Sequence, residues 1–303
     1  MSNHFDRIIE LACNFGPMKI AVAAAEDEKV LEALKMAVEI NMVTPILIGD
    51  KIKIQTLAEK LEFPLEKAQV VGVASPEESA YTAAHMVSEQ TAQVIMKGRL
   101  DTAVLLKAVL DKQHALFQGG LLSHVGVLRV AGYDRFFVLS DSAMNIQPTL
   151  EEKVYIIRNA VRVAHVIGLE MPKVAMICPV EKVNPKIPAT IDAEKLTQMN
   201  QEGMIVDCIV RGPLALDNAI SKEAAMQKGI DNPVAGCADV LIPPDLSSAN
   251  ILNKAMEYFG KAEKAGIIMG AKMPIILTSR ASSARAKLNS IALGMVASKQ
   301  KRT

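Results

Sequence analysis

Short apolar segments alternate with amphipathic helical patterns along most of this 303-residue chain, and this alternation constrains the fold more than any other feature. Residues 20–24 form an unbroken apolar run typical of a buried strand, and Val30, Leu34 and Val38 then recur on one face of a predicted helix. Further strand patterns followed by helices occur at residues 45–48, 68–73 and 92–96. Such alternation favours a mainly parallel sheet with helices on both faces. We therefore expect an α/β fold.

The alternation is interrupted after Asp111. Residues 123–130 and 135–139 flank Gly132 and predict a β-hairpin. A capping box at Thr149 then predicts the start of a long helix. Further strands are predicted at residues 174–178, 205–210, 240–242 and 273–278. We expect the last of these strands to return to the first sheet.

The interruption predicts a domain change, so we expect a two-domain α/β/α protein with mainly parallel sheets. The first domain comprises residues 1–117 plus 270–303, and the second, residues 118–269, is inserted into it. Ligands of such sheets bind outside the carboxyl ends of the strands. Polar residues that directly follow strands are therefore the candidates for function.

Composition excludes several classes of partner. The chain has 34 Lys and Arg against 33 Asp and Glu, a formal charge of +1, and only 4% aromatic residues. No basic stripe is present, so we expect no nucleic-acid partner. The N-terminal segment lacks the apolar core of a signal peptide, and no apolar run approaches the length of a membrane span. We therefore expect a cytoplasmic protein without a membrane partner.

Cysteine usage and motif content narrow the chemistry. The four cysteines lie without CxxC spacing at positions 13, 178, 208 and 237, so they predict reduced, mostly buried thiols and no zinc site. The GxGxxG, GxxxxGK[ST], GxSxG and HExxH motifs are absent. The dinucleotide, P-loop, serine-hydrolase and zinc-protease classes lose most of their support for that reason.

Ser279 and Arg280 lie between an apolar strand pattern and a helix predicted over residues 282–298. Unpaired N–H groups and the positive end of the helix dipole favour an anion at a helix N-terminus. The Arg guanidinium matches a phosphate or carboxylate edge. The pair predicts an anion site, and the alternative is a serine at a helix start beside a solvated arginine.

A second basic segment follows the strand pattern at residues 92–96. Lys97, Gly98 and Arg99 precede a predicted helix that carries Thr102 and Lys107. A phosphate or pyrophosphate site favours cations beside a glycine, because glycine lets the backbone approach the oxygens. A charged loop that caps a helix explains the same residues.

Three further polar residues follow or lie in predicted strands. Asp141 is a candidate general base or a turn residue, and Asp245 is open to the same two interpretations. His124 lies in a predicted strand, where it either lines a cleft or is an ordinary core histidine.

The motifs taken in order resemble the phosphate acetyl/butyryltransferase family, most closely its butyryl branch. The resemblance covers nearly all of residues 18–298. The matching segments are Met96–Lys107, Leu122–Val125, Asp141–Ile146, Val183–Lys186, Arg211–Asp217, Ile242–Leu246 with Asn250, and Leu277–Arg280.

The resemblance implies a fold like that of isocitrate and isopropylmalate dehydrogenases, with the active site in the interdomain cleft. It implies reversible conversion of acyl-CoA and phosphate to acyl phosphate and CoA, with butyryl-CoA as substrate. Coenzyme A is then a substrate, no cofactor or metal is needed, and the protein is a homodimer or a higher homo-oligomer.

The resemblance also implies residue roles. Ser279 and Arg280 inherit catalytic roles, and our own hypothesis adds Asp141 or Asp245 as a fallback base. The remaining polar residues of the matching motifs are expected to bind substrate: Lys97, Gly98, Arg99, Thr102, Lys107, His124, Asn145, Asp245 and Asn250.

Two positions depart from the acetyl branch. Ala286 stands where that branch carries an aspartate thought to deprotonate CoA, and Tyr258 aligns approximately with an active-site arginine. Three alternatives therefore stay open at this level. They are an acetyl-specific acyltransferase, a hydroxy-acid dehydrogenase on the same architecture, and a non-catalytic module that binds CoA esters or anions.

Overall fold

A computed structural model describes residues 4–117 and 119–299. The chain divides into two compact units, one formed by residues up to Gly119 together with those from Ala265 onward, the other by Gly120–Lys264. Both units mix strands and helices, as the alternating sequence pattern predicts. Among the described helices, none has both the length and the apolar character that a membrane crossing requires.

The elements of the first unit begin with α1 (His4–Asn14), β1 (Met18–Ala23), α2 (Glu28–Glu39), β2 (Val43–Gly49), α3 (Lys51–Lys60), β3 (Gln69–Gly72), α4 (Pro76–Ser88), β4 (Val94–Lys97) and α5 (Thr102–Leu110). The second unit contains β5 (Ser123–Arg129), β6 (Phe137–Ser140), α6 (Leu150–Val166), β7 (Lys173–Ile177), α7 (Pro188–Gln201), β8 (Ile209–Leu214), α8 (Leu216–Ile220), α9 (Lys222–Gln227), β9 (Val240–Ile242) and α10 (Leu246–Tyr258). The chain then returns to the first unit with β10 (Glu263–Met269), β11 (Ile275–Ile276) and α11 (Ala284–Lys299). Short 3₁₀ turns lie at Leu65–Lys67 and Lys112–His114.

The strands of the first unit lie in the order β3-β2-β1-β4-β11-β10. All neighbours are parallel except β10, which is antiparallel to β11. Strand β11 pairs with β4 through Ile275 with Ile95 and Ile276 with Met96. The expected return of the chain to the first sheet is therefore confirmed.

The strands of the second unit lie in the order β5-β6-β9-β7-β8. The first two form the expected antiparallel hairpin, and the other neighbours are parallel. The predicted start of the long helix is confirmed, since Thr149 and Glu152 form the capping box of α6. Likewise, the Ser75 side chain caps α4.

Three sequence predictions about elements are wrong. Strand β10 was missed. Strand β8 runs over Ile209–Leu214 instead of residues 205–210, because Pro213 is accepted within the outer strand of the unit. Helix α11 begins at Ala284 instead of residue 282, and β11 ends at Ile276, so residues 277–283 form a loop between them.

Helix α11 packs closely on β11. Every residue from Lys287 to Ala297 is buried. A Cβ atom added to Gly294 would lie 2.7 Å from Cγ1 of Ile276, closer than packed atoms approach. The helix therefore lies near the strand because residue 294 has no side chain.

Candidate functional site

The ends of β4 and β11 bring the two basic segments of the first unit together. The strands are parallel neighbours, so their carboxyl ends lie at the same edge of the sheet. Lys97 ends β4, and the loop 277–283 follows β11. The sequence predicted each segment separately, and the topology places them side by side.

Arg280 contacts the segment that follows β4. Its Nη2 atom lies 2.9 Å from Oδ1 of Asp101, and the two side chains are 71% and 78% exposed. Asp101 precedes α5 at the N-cap position but makes no side-chain capping bond. A pair this exposed contributes about 0–1 kcal/mol, so an anion can replace the carboxylate on the guanidinium at little cost.

Ser279 is exposed beside Arg280, and its hydroxyl oxygen accepts a hydrogen bond from the Ala281 N–H at 3.3 Å. The carbonyl oxygen of Ser279 accepts from the Ser282 N–H at 3.0 Å and from Nζ of Lys287 at 3.3 Å. The serine hydroxyl is thus open to solvent while its backbone is fixed from the helix side.

Lys287 is a site residue that sequence reasoning missed. Its side chain is 2% exposed, and Nζ donates to Oγ1 of Thr278 at 2.9 Å as well as to the Ser279 carbonyl. The available signal was a lysine in a helical segment that is otherwise buried on all sides. It lies one position after Ala286, whose N–H donates to Oγ of Ser283 at 3.2 Å.

Lys97 is 7% exposed, and its ammonium donates to the carbonyl oxygens of Leu100 at 2.7 Å and Gly98 at 3.3 Å. Burial lowers the pKa of Lys97, and Arg280 lowers it further, while Asp101 and Asp27 raise it. The cation therefore braces the turn after β4, in the electrostatic range of Arg280.

The turn at Gly98 differs from the sequence interpretation. The N–H groups of Gly98 and Arg99 donate to the carbonyl oxygens of Ala23 at 2.8 Å and Ala24 at 2.7 Å, so both extend the pairing with β1. A Cβ on Gly98 would lie 2.0 Å from the Ala24 carbonyl oxygen. The glycine is required for close packing of two strand ends, and its N–H is engaged within the protein.

The remaining basic-segment residues lie on or before α5. Arg99 is exposed, and Thr102 is the half-buried first residue of the helix. Lys107 is exposed five residues further along the helix, about 7.5 Å along its axis. Lys107 is therefore the member of the group that lies furthest along α5.

In the second unit, Asp141 holds the turn that follows β6. Its side chain is 5% exposed. Oδ1 accepts from the N–H groups of Ala143 at 2.8 Å and Met144 at 3.1 Å, and Oδ2 accepts from the N–H of Asn145 at 3.2 Å and its Nδ2 at 2.6 Å. These contacts are those of the turn residue that the sequence left as one of two interpretations.

His124, Asn145 and Asn250 join the same network. Nδ1 of His124 lies 3.2 Å from Oγ of Ser142, and Nδ2 of Asn250 donates to the Ser142 carbonyl at 3.0 Å. Asn145 also donates to the Leu122 carbonyl at 3.0 Å. Burial lowers the pKa of His124, the Asp141 carboxylate opposes this effect, and the Lys264 ammonium adds to it.

Asp245 caps α10, where its Oδ1 accepts from the Ser248 N–H at 2.8 Å and from the Ser248 hydroxyl at 3.0 Å. Tyr258 ends the same helix, is 57% exposed, and has Nζ of Lys254 5.8 Å from its ring centroid. Among the described residues, no group of three His, Cys, Asp or Glu is placed to hold a metal ion.

The buried thiols are not activated. Burial raises the pKa of Cys178 to about 11 and that of Cys208 to about 12. Both thiols therefore stay protonated near neutrality, which fits the expected packing role of Cys178.

Comparisons with known proteins agree with one another over almost the full chain. The family model for phosphate acetyl/butaryl transferase matches residues 4–81 and 74–295. A phosphate butyryltransferase of Clostridium beijerinckii is 44% identical over 99% of this chain and 100% of its own length. A probable phosphate butyryltransferase of Bacillus subtilis is 50% identical over 93% of each chain. A phosphate acetyltransferase of Thermotoga maritima is 44% identical over 96% of this chain and 98% of its own.

Solved structures give the same result at the level of the fold. A branched-chain phosphotransacylase from Enterococcus faecalis superposes with a TM-score of 0.83 at 30% identity, covering 94% of this chain and 100% of that one. A 4-hydroxythreonine-4-phosphate dehydrogenase from Klebsiella pneumoniae superposes with a TM-score of 0.57 at 13% identity, covering 93% of this chain and 100% of that one. The second likeness concerns the fold alone, and it agrees with the expected dehydrogenase-like architecture.

Proposed function

Because the chain belongs to the phosphate acetyl/butyryl transferase family, we propose that it transfers a short acyl group reversibly between coenzyme A and inorganic phosphate. Butyryl-CoA is the substrate we expect, since relatives named phosphate butyryltransferase align with almost the whole chain. The observation that carries the chemistry is the exposed Arg280–Asp101 pair beside the N-terminus of α5.

In the forward direction, an oxygen of phosphate attacks the thioester carbonyl carbon and the carbon–sulfur bond breaks. Coenzyme A leaves as a thiolate and takes up a proton. Arg280 would hold the phosphate by exchanging Asp101 for it, and the first N–H groups of α5 supply further donors at the same edge. The backbone donors that we first expected at Gly98 are engaged with β1, so they have no part in this scheme.

Ser279 would donate a hydrogen bond to the carbonyl oxygen as negative charge develops on it. Its exposed hydroxyl and its backbone, fixed by Lys287, suit that role. Lys97 would keep the site positive without touching substrate, because its ammonium is buried against carbonyl oxygens. The other predicted binding residues of this unit, Arg99, Thr102 and Lys107, stay proposals for the CoA and phosphate groups.

The reverse reaction needs a thiolate, and Ala286 supplies no base. A thiol with a pKa of about 8.5 is a few per cent ionised near neutrality, and the positive site would raise that fraction. Positioning two substrates lowers a barrier by about 7–11 kcal/mol, whereas a general base contributes about 10²–10⁴-fold. The magnitudes therefore support turnover without a carboxylate at position 286.

We revise the proposed role of Asp141 from fallback base to structural anchor. Four donors already occupy its carboxylate, so proton abstraction would break the turn that it holds. His124, Asn145, Asp245 and Asn250 stay proposed substrate-binding residues, positioned by that turn and by α10.

Acetyl-CoA is the second candidate substrate, because a phosphate acetyltransferase is 44% identical over nearly the full chain. A pocket discriminates between chains that differ by one methylene by only about 1–3 kcal/mol. Butyryl-CoA and acetyl-CoA are therefore both candidates for the same site. We further propose a cytoplasmic location, supported by four free cysteines, and a homodimeric or higher assembly.

The test is an assay of the free CoA released when the protein is incubated with phosphate and an acyl-CoA. We expect turnover with butyryl-CoA to exceed that with acetyl-CoA, dependence on phosphate, and no loss of rate in the presence of EDTA. Absence of phosphate-dependent CoA release with either ester would contradict the proposal and favour a non-catalytic binding module. Metal-dependent oxidation of a hydroxy acid, in place of CoA release, would favour the dehydrogenase alternative.

A further inference from the structure

The first unit contains a cavity at the sheet edge opposite the candidate catalytic site. It has a volume of about 420 Å³ and lies at the amino ends of β1 and β4, where Met18, Ala92 and Gln93 line it. Lys97 and the loop 277–283 follow the carboxyl ends of strands in the same sheet. The cavity is thus separate from the site described above, and its volume is within the range of small-molecule sites.

A buried imidazole lines this cavity. His114 is 4% exposed, and its Nδ1 lies 2.8 Å from the carbonyl oxygen of Ala108, which can only accept. Nδ1 therefore carries a proton. The other ring nitrogen, Nε2, is buried and has no hydrogen-bond partner among the described residues. Nε2 is closed to the cavity, so the ring lines the cavity with its other atoms and can report on what binds there.

The other residues that line the cavity determine the charge of a ligand that would fit it. Lys272 and Lys299 line the cavity, and neither forms an ion pair with any residue that the structure describes. The amides of Gln90 and Gln93 add neutral polar groups, and no carboxylate occurs among the lining residues. Apolar contacts come from Val87, Leu116 and Met273. The lining therefore carries positive charge at two lysines, with neutral polar and apolar side chains around them.

We propose that this cavity is a second binding site, for a small organic anion in which a carboxylate or phosphate group is joined to a short apolar chain. The head group meets Lys272 and Lys299, beside the ring of His114. The apolar chain occupies the side lined by Leu116 and Met273.

The test uses the histidine itself as reporter. Labelling histidine with ¹³C at Cε1 gives one signal for each of the five histidines, and His114→Gln identifies the relevant one. Should that variant not fold, Tyr81→Leu identifies it, because the Tyr81 ring lies 4.5 Å from the imidazole and shifts its signal. Butyrate and monobutyl phosphate are titrated separately, with sodium chloride at equal ionic strength as control.

We expect a saturable shift of the His114 signal with at least one of the two probes, and the probe that gives it identifies the head group. Lys272→Met and Lys299→Met should each weaken binding by about tenfold or more, the effect of a lost hydrogen bond to a charged group. Lys112→Met is the matched control, since Lys112 precedes His114 in the same turn but does not line the cavity. Its affinity should be unchanged.

Arg280→Gln separates the two sites. Binding in the cavity should persist in this variant, while occupation of the catalytic site is weakened. A His114 signal that shifts with neither probe overturns the proposal. So does a shift that is lost in Arg280→Gln and kept in both lysine variants, because the anion is then bound at the catalytic edge. Since the readout is binding, the outcome is independent of whether acyl transfer is detected.

Discussion

The two polar clusters of this protein use their side chains in opposite ways. In the second unit, the Asp141 carboxylate accepts four hydrogen bonds from within its own turn, and its neighbour Ser142 is 1% exposed. In the first unit, Ser279 and Arg280 are exposed, and one surface ion pair engages the guanidinium. A satisfied, buried cluster stabilises a fold, whereas an exposed and weakly paired one has binding capacity left. From this difference we expect Arg280 to take part in the chemistry and Asp141 to stabilise the fold.

Arg280→Gln should give the largest effect. We expect kcat/KM for phosphate-dependent CoA release to fall by about 10²–10³-fold, the usual loss for a group that stabilises developing charge. The midpoint of thermal unfolding should not change, because the side chain is exposed. Arg285→Gln is the matched control, since Arg285 also pairs with an aspartate on the surface of this unit, namely Asp6. Equal losses in both variants would remove the special role of Arg280.

Asp141→Asn should act on stability. The amide replaces one accepting oxygen with a donor that faces N–H groups, so we expect the free energy of unfolding to fall by about 2–4 kcal/mol. Urea titration measures it. Asp27→Asn is the control, because Asp27 caps α2 and asparagine caps equally well. If Asp141→Asn keeps its stability and loses turnover, the comparison between the clusters is reversed.

Lys287→Met tests whether a buried lysine positions Ser279. Removing the bonds to Thr278 and the Ser279 carbonyl should lower kcat by about tenfold and leave KM for phosphate nearly unchanged, because Arg280 is still present. Lys287→Arg should restore part of kcat. Lys35→Met removes a comparable lysine-to-carbonyl bond, to Leu61, elsewhere in the unit and should not change kcat. A loss confined to stability would assign Lys287 a structural role only.

The smallest expected effect is the contribution of His124 to the pH dependence of the free energy of unfolding. Its pKa is lowered in the folded protein by burial, so below pH about 6.5 the unfolded chain binds a proton that the folded protein does not. Stability should therefore fall as pH decreases through this range, by at most about 1.4 kcal/mol per pH unit. Urea titrations at several pH values measure the slope, and His124→Asn should reduce it. An unchanged slope would mean that other groups carry the pH dependence.

The alternation of strands and helices gave most of the fold, because apolar periodicity and capping residues act locally. Strand β10 was missed since its pairing with β11 involves neighbours that no local pattern identifies. The bounds of β8 were misplaced because the sequence does not show that β8 is the outer strand of its unit, where the missing N–H of Pro213 is harmless. Both errors concern the place of a strand within a sheet.

The candidate site shows the same contrast between what local sequence predicts and what depends on neighbouring elements. Ser279 and Arg280 were proposed as site residues from residue type and position after a strand, but the loop that separates them from α11 was not predicted. The close contact of Gly98 with Ala24 was also not predicted, because it depends on which strands are neighbours. Lys287 could be suspected from its apolar helical surroundings, but its partners could not be predicted, since they lie eight and nine residues earlier in the chain.

The close approach of α11 to β11 at Gly294 has an evolutionary consequence. The loop 277–283 is held at one end by a two-residue strand and at the other by a helix that residue 294 keeps in place. Its side chains can therefore be exchanged one by one without moving the elements on either side. A substitution in this loop can therefore change what the loop binds while the strand and the helix that carry it stay where they are.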